Sequence, residues 1–256
     1  MLRLRTQGGF ANRLRAIISG VLWAQDLGVR LGIYWPVEPG HMPCALWELF
    51  LETSIPELEE VHSGYLPGAI EVQSVEAAEK AIHTRCIESY SEFHPECKTE
   101  RGLQILRGLK FRPEILAKAD EIWQKIGGTK EWYGIHYRGT DHKKCKTACT
   151  PGLLIGKIQD CLADNKNQMF FLATDEESVG GTILFKFPTS VIMPSLIKSR
   201  FTKEGQIEAI LDWICLSRCE RIYGSKGSTF SEWAALYGSA LYFPLSLSLP
   251  THLLKA

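Results

Sequence analysis

The chain has 256 residues, 45% of them hydrophobic, and its 29 basic and 29 acidic side chains cancel to a formal net charge of zero. This length suffices for one large domain or for two of ordinary size. A balanced charge excludes the overall positive field that draws proteins to nucleic acid or to acidic membranes, so any attraction for an anion has to be local.

The amino terminus, MLRLRTQ, alternates like a β-strand and lacks the apolar stretch of a signal peptide. No run in the sequence approaches the about 18 apolar residues of a membrane-spanning helix. The eight cysteines include no C-x-x-C pair and match no zinc pattern, which favours free thiols in a reducing compartment. We therefore expect a soluble, cytoplasmic protein with no transmembrane segment and no metal site.

The first predicted elements are a strand at residues 2–6, a Gly8-Gly9 turn and a helix over residues 12–27. Asn12 is a suitable N-cap for this helix, and the free amides of a first helical turn attract anions. An ordinary βα turn without a ligand is an equally open interpretation. A later helix, residues 114–126, ends at Gly127-Gly128, which predicts domains of residues 1–128 and 129–256.

The second half repeats the alternation of strands and helices. An apolar run at 132–137 reaches Arg138, a second at 168–173 is followed by Asp175, and a third at 221–223 leads into a Gly-Ser-Thr turn at 224–231. Strands alternating with helices predict an α/β fold, with a mainly parallel sheet between two helix layers in each half.

Polar groups thus follow three predicted strands, and parallel strands place their carboxyl ends along one edge of a sheet. Arg138 carries a permanent charge and can hold two phosphate oxygens at once. Thr229 and Glu232 have capping-box spacing at a positive helix end. Three alternatives remain open: a surface ion pair between Arg138 and Asp141, a plain helix cap at Thr229, and an N-cap role for Asp175.

Four segments resemble, in order, the motifs of the inverting fucosyltransferase-like glycosyltransferases. This GT-B superfamily includes the α1,6-fucosyltransferases, the nodulation fucosyltransferases and the protein O-fucosyltransferases. GIHYRGTD at 134–141 resembles its first motif, FFLATDEES at 170–178 its second and GSTFSEWAA at 227–235 its third. The turn GGFANR at 8–13 is similar to its amino-terminal Gly-x-x-N segment.

The resemblance implies two Rossmann-like domains with mainly parallel sheets facing across a cleft. A nucleotide sugar, with GDP-fucose as first choice, would be held mainly by the second domain, and a glycan acceptor would lie against the first. Arg138 would hold the donor diphosphate, His136 would help to place it, and Asp175 would contact the ribose or the base. The other implied donor-binding residues are Asn12, Arg13, Ser228, Thr229, Phe230 and Ser231.

The sequence contains no D-x-D motif of the kind that holds a metal in many sugar transferases. We therefore expect a metal-independent, cofactor-free reaction in which Arg138, Arg13 and helix N-termini stabilise the leaving group. Inversion by single displacement also needs a base for the acceptor hydroxyl. Asp141 is the nearest carboxylate and is predicted to be catalytic together with Arg138, and Glu38 is a second candidate. Where some α1,6 enzymes of the family have a glutamate, this chain has Lys143, Lys144 and Lys146.

Other functions remain open at this stage. The same fold could use another donor, such as UDP-xylose or a GDP- or UDP-deoxyhexose. The protein could also be a non-catalytic binder of nucleotides or carbohydrates, or an NAD(P)-binding oxidoreductase. The oxidoreductase is disfavoured because neither glycine-rich turn has G-x-G-x-x-G spacing or a clear ribose-binding acid downstream.

Overall fold

The computed structural model describes residues 1–39, 41–139, 148–194, 199 and 201–247. The chain divides into two compact units: unit 1 is Met1–Lys118 with Lys198–Ile210, and unit 2 is Ala119–Ile197 with Leu211–Ala256. This division differs from the predicted 1–128 and 129–256, because the first boundary falls inside a helix and a later segment returns to unit 1. A glycine pair marks where a helix ends, and it carries no information about which sheet that helix packs on.

Unit 1 contains a parallel sheet of five strands in the order β3-β2-β1-β5-β4. The strands are β1 Leu2–Thr6, β2 Leu31–Tyr34, β3 Leu58–His62, β4 Ile70–Glu71 and β5 Cys86–Ser89. The helices that follow in the chain are α1 Phe10–Asp26, α2 Leu46–Leu49, α3 Val75–Ala81, α4 Glu100–Gly108 and α5 Pro113–Lys125, of which α5 crosses the boundary between the units.

Helix α1 covers one face of this sheet. Leu2 and Leu4 of β1 are buried on that face, and Gly20 of α1 lies so close to Leu4 that a Cβ at Gly20 would clash with its side chain. The predicted apolar stripe of α1 is buried with them, namely Leu14, Ile17, Ile18, Val21 and Leu22. Helix α4 packs in turn on α1.

The other face of the unit 1 sheet carries mainly polar side chains. Arg5 and Glu88 at its centre are only 14% exposed, and the others are half-buried or exposed: Arg3, Tyr34, Glu60, His62, Glu71 and Cys86. Strands β3 and β4 lie at opposite edges, and their connection, residues 63–69, is a glycine- and proline-containing loop without a helix. The predicted helix layers on both faces are therefore wrong for unit 1, because this crossover is too short to form one.

Unit 2 contains a second parallel sheet of five strands in the order β10-β9-β6-β7-β8. The strands are β6 Tyr133–Tyr137, β7 Phe170–Thr174, β8 Val191–Ile192, β9 Arg221–Ser225 and β10 Leu241–Leu245. The remaining helices are α6 Pro151–Asp164, α7 Glu177–Lys186, α8 Lys203–Ser217, which also crosses the boundary between the units, and α9 Thr229–Gly238.

Helices cover both faces of the unit 2 sheet, as predicted. On one face Ile135 and Leu172 pack in a buried cluster with Leu154 and Ile158 of α6. On the other face Gly134 lies against Leu216 of α8. The strand order reverses between β6 and β9, and in doubly wound sheets ligands bind at the carboxyl ends of the strands at such a switch point.

Across the ranges that the structure describes, no helix has both the length and the apolar character needed to cross a bilayer.

Candidate functional site

The three polar strand ends of unit 2 meet at the switch point. Strand β6 lies between β7 and β9, with Tyr137 paired to Thr174 and His136 paired to Gly224. The residues that follow these strands therefore emerge side by side at one edge. This confirms the predicted convergence of Arg138, Asp175 and the 224–231 turn.

Arg138 is tied to both neighbouring strand ends. Its Nη1 lies 3.0 Å from Oδ2 of Asp175 after β7, and its backbone N–H donates to Oγ of Ser225 in β9 at 3.1 Å. The side chain of Arg138 is 24% exposed, so solvent still reaches it. A permanent charge is thus held at the sheet edge in a fixed direction. Ser225 was not singled out from the sequence, where a serine before Lys226-Gly227 has no distinguishing spacing.

Both carboxylate oxygens of Asp175 contact groups at the end of β6. While Oδ2 faces Arg138, Oδ1 accepts the N–H of Gly139 at 2.6 Å. Gly139 has to be a glycine, since a Cβ there would lie 2.7 Å from both Cβ of Glu176 and Cε1 of Tyr137. The geometry makes Asp175 a residue that positions Arg138. The predicted contact to ribose or base stays a prediction.

His136 lies beneath the same edge as a neutral side chain. It is 5% exposed, and its ring stacks on Phe230 with centroids 5.0 Å apart. Burial lowers the pKa of His136 from 6.5 to about 4; nearby Asp175 opposes this shift and Arg138 adds to it. Among the described residues, Nδ1 of His136 has no hydrogen-bond partner. His136 therefore offers hydrogen bonding rather than charge.

The turn after β9 starts helix α9 differently from the prediction. Ser228 is the N-cap and its side chain makes no capping bond, whereas Thr229 is the first helical residue. Gly227 precedes the cap with φ +83, a left-handed conformation that glycine adopts without strain. The N-cap of α9 is therefore Ser228, one residue before the predicted Thr229. The first-turn amides of α9 still point out of the helix start, as in every α-helix.

The hydroxyl of Ser231 faces inward. Ser231 is fully buried, and its Oγ donates to the carbonyl of Ser228 at 3.4 Å and lies 3.4 Å from the hydroxyl of Tyr242. Ser228 is 6% exposed. The hydroxyl of Ser231 thus has only internal neighbours, and the phosphate contact predicted for Ser231 stays a prediction for its backbone N–H alone. The helix amides and Arg138 remain the anion-binding groups of the site.

The helix that follows the Gly8-Gly9 turn in unit 1 also begins earlier than predicted. Helix α1 begins at Phe10 with Gly9 as N-cap, so Asn12 is not the cap. Gly8 has φ +73, and the side chain of Asn12 lies so close that a Cβ at Gly8 would be 2.9 Å from Nδ2. Asn12 thus packs against the turn that precedes its helix.

Arg13 is a buried structural residue. It is 0% exposed, and its guanidinium donates to the carbonyls of Gly8 at 2.8 Å and Pro36 at 2.7 Å and to Oε2 of Glu38 at 3.1 Å. Desolvation lowers the pKa of Arg13 to about 10, while Glu38 opposes this shift. A guanidinium with three internal acceptors is not placed to bind a ligand. We therefore correct the predicted donor contact of Arg13 to a positioning role for the glycine turn.

Of the two candidate bases, Asp141 and Glu38, only Glu38 lies among the described residues. Asp141 lies outside the described residues, as do Lys143, Lys144 and Lys146. Glu38 is ion-paired with Arg13 at 3.1 Å and with Arg5 at 3.7 Å, so its carboxylate serves as their counterion. Within the described residues, no three His, Cys, Asp or Glu side chains are grouped as metal ligands would be.

The chain is similar in structure to solved fucosyltransferases. Its similarity to the α1,6-fucosyltransferase NodZ soaked with GDP-fucose has a TM-score of 0.68 at 19% identity, covering 98% of this chain and 97% of that chain. For fucosyltransferase NodZ from Bradyrhizobium the TM-score is 0.69 at 19% identity, with 98% and 96% covered. For POFUT1 in complex with GDP it is 0.60 at 12% identity, with 95% and 98% covered.

At the level of sequence, neither a family model nor a curated protein matches the chain. The two parallel five-stranded sheets, the strand-end arginine and the structural similarity over nearly the whole chain agree with one another. The chain therefore has the fold of the fucosyltransferase-like GT-B glycosyltransferases.

Proposed function

We propose that the protein is an inverting glycosyltransferase that moves a sugar from a nucleoside diphosphate to a hydroxyl group of a glycan. GDP-fucose is the first choice of donor, because crystals of structurally similar fucosyltransferases were soaked with GDP-fucose or contain GDP. The observation that carries the proposal is Arg138 at the switch point of the unit 2 sheet, next to the start of α9.

In the proposed reaction an acceptor hydroxyl oxygen attacks the anomeric carbon as the bond from that carbon to the diphosphate oxygen breaks. The hydroxyl proton goes to a base, and the electron pair of the broken bond stays on the diphosphate. Arg138 and the first-turn amides of α9 are groups that stabilise this growing negative charge without having to reorganise. His136, neutral above about pH 4, would add a hydrogen bond and no charge.

The central test is GDP binding to Arg138→Ala and Arg138→Lys, measured by isothermal titration calorimetry. A bidentate charged contact is worth about 3 kcal/mol, so we expect Arg138→Ala to bind GDP at least about 100-fold more weakly. Arg138→Lys should recover little of the lost affinity, because lysine lacks the planar guanidinium that binds two phosphate oxygens at once. Arg107→Ala, on the surface of α4, is the matched control and should bind as wild type. Unchanged GDP affinity in Arg138→Ala would overturn the proposal.

Donor identity is tested by titrating GDP, UDP and ADP and then their sugars into the wild-type protein. GDP and GDP-fucose are expected to bind at least tenfold more tightly than the others. A preference for UDP would move the proposal to another donor of the same class. Tight GDP binding without hydrolysis or transfer to any glycan in a panel would identify a non-catalytic binder.

We further propose that turnover needs no metal, which the absence of a D-x-D motif supports. Turnover in EDTA should equal that in Mg²⁺ or Mn²⁺, and activity that EDTA abolishes and added divalent ion restores would contradict this.

Asp141 remains the predicted base. Asp141→Asn is expected to lower kcat by about 100-fold or more with GDP affinity intact, and near-full turnover would remove it from the mechanism.

A further inference from the structure

Ser225, the last residue of β9, is hydrogen-bonded to both anion-binding groups of unit 2. Its side-chain Oγ accepts the backbone N–H of Arg138 at 3.1 Å, and its carbonyl oxygen accepts the N–H of Ser228, the N-cap of α9, at 3.0 Å. Ser225 is 0% exposed, so its hydroxyl does not reach a ligand itself. Any effect of this hydroxyl on ligand binding therefore has to pass through Arg138.

The Oγ of Ser225 holds the chain where β6 leaves β9. The register between these two strands ends at His136 paired with Gly224, and Arg138 lies two residues past this last pair. Ser225 itself stays in the sheet, because it is paired with Leu245 of β10. The bond from Arg138 to Ser225 therefore extends the contact between β6 and β9 through a side chain, at the residue that carries the charge.

The carbonyl of Ser225 holds the start of α9 through a tight turn. The bond from Ser228 to Ser225 closes a four-residue turn, and Gly227 at its third position has φ +83. A positive φ at the third position is typical of a type II turn, and glycine adopts it without strain. Gly224, the residue before this turn, lies so close to α9 that a Cβ on it would clash with the side chain of Ser231. The start of α9 is therefore fixed against the end of β9.

One residue thus connects the guanidinium side of the site to its helix side. A diphosphate has two linked phosphoryl groups, and the guanidinium of Arg138 and the first-turn amides of α9 can hold both only if their separation matches that link. A misplacement of about 1 Å in a positioned group can cost about 100-fold in rate. A monophosphate makes no such demand on the spacing, because either group can hold it alone.

We propose that Ser225 is a positioning residue that sets the spacing between Arg138 and the start of α9 and thereby makes the site selective for a diphosphate over a monophosphate. The inference deepens the proposed function and rests on it for the donor diphosphate. Asp175 holds the guanidinium end of Arg138 from β7, whereas Ser225 holds its backbone end from β9. The two contacts involve different atoms of Arg138, so each can be removed by itself.

The test is isothermal titration calorimetry of GDP, inorganic pyrophosphate and GMP with Ser225→Ala and Ser225→Thr. We expect Ser225→Ala to bind GDP and pyrophosphate about tenfold more weakly, because the backbone of Arg138 loses its anchor on β9, and to bind GMP within about twofold of wild type. Ser225→Thr keeps the hydroxyl and should retain most of the affinity. Equal losses for GMP and GDP, or wild-type GDP affinity in Ser225→Ala, would overturn the proposal.

Ser217→Ala is the matched control, because it also removes a buried hydroxyl from unit 2. The Oγ of Ser217 donates to the carbonyl of Ile214 within α8 at 2.6 Å, so its loss should lower stability and leave all three affinities at wild-type values. In an Arg138→Ala background, Ser225→Ala should change pyrophosphate affinity by less than about twofold, because no guanidinium is left to misplace. The same loss in both backgrounds would show that Ser225 acts on the fold and not through Arg138, which refutes the proposal.

Amide hydrogen exchange, followed by NMR, separates this inference from the proposed function. The backbone N–H of Arg138 should exchange at least about tenfold faster in Ser225→Ala than in wild type, with or without nucleotide. Unchanged exchange would show that Ser225 does not anchor Arg138 and would overturn the proposal. Faster exchange in a protein whose wild type binds neither GDP nor pyrophosphate would support the anchor and refute the transferase, so the two failures are distinguishable.

Discussion

Asp175 holds Arg138 in place, with its Oδ2 3.0 Å from Nη1 of Arg138 and its Oδ1 accepting the N–H of the next residue, Gly139. The carboxylate at the end of β7 and the guanidinium at the end of β6 thus form a unit at the edge of the sheet. The donor contact predicted for Asp175 and this positioning role lead to different experimental results.

Asp175→Asn keeps the size of the side chain and an oxygen for the Gly139 amide, but it removes the charge that faces Arg138. An arginine that is no longer held regains up to about 2 kcal/mol of rotamer freedom, so we expect binding to weaken by up to about thirtyfold. If Asp175 positions Arg138, the affinities for GDP and for inorganic pyrophosphate should fall by the same factor in competition titrations. A loss for GDP with unchanged pyrophosphate affinity would instead show that Asp175 contacts the ribose or the base.

Arg13→Lys is expected to destabilise unit 1 strongly. The buried guanidinium serves three acceptors, and lysine cannot reach them with the same geometry, which leaves buried groups unpaired. Each buried group left without a hydrogen-bond partner costs about 1 to 3 kcal/mol. Chemical denaturation should show this loss, and Arg30→Lys, whose side chain is half exposed, should stay within about 1 kcal/mol of wild type. Wild-type stability together with weakened GDP binding would restore Arg13 as a donor contact.

Gly139→Ala should disturb the site through contact with fixed atoms. Its Cβ would lie 2.7 Å from the Tyr137 ring and from Cβ of Glu176, so the backbone that binds Asp175 must shift. Overpacking of this kind costs about 1 to 3 kcal/mol, and we expect weaker GDP binding as well. Gly181→Ala in α7 is the matched control, since nothing lies within 4 Å of its Cβ. It should be neutral or stabilising by up to about 1 kcal/mol.

The buried neutral His136 makes stability depend on pH. Its pKa is lowered to about 4 in the folded protein, so between that value and the ordinary 6.5 the unfolded chain binds a proton that the folded chain does not. Stability is therefore fully present above pH 6.5 and falls as the pH approaches 4. One pKa unit corresponds to about 1.4 kcal/mol, so the loss is on the order of 3 kcal/mol.

His136→Gln removes this titration and is the variant for the pH test. Denaturation midpoints between pH 4 and 7 should flatten in His136→Gln relative to wild type, whereas His83→Gln, at an exposed position, should keep the wild-type slope. Equal slopes in wild type and His136→Gln would show that another group controls the acid sensitivity.

The meeting of Arg138, Asp175 and the 224–231 turn can be predicted from sequence because it follows from a general property of parallel sheets. Apolar runs indicate the strands, alternation with helices indicates parallel pairing, and parallel pairing places the strand ends at one edge. Strand β10 is harder to predict, since Pro244 argues against a strand in a central position. It is tolerated at the sheet edge that β10 occupies.

Helix starts show the limit of local patterns. Ser228 and Thr229 are both favourable caps by composition, and the difference between them depends on the left-handed turn at Gly227. Asn12 has the right chemistry for a cap and still lies inside α1, because Gly8 and Gly9 complete the turn earlier.

The sequence by itself indicated the first strand and helix, three strands of the second half and the chemical groups that follow them, because these properties depend on neighbours along the chain. Only the tertiary structure decided that Arg13 and Ser231 are buried and that Asp175 faces Arg138. Burial and partner choice depend on groups far apart in the chain, and no local periodicity encodes them.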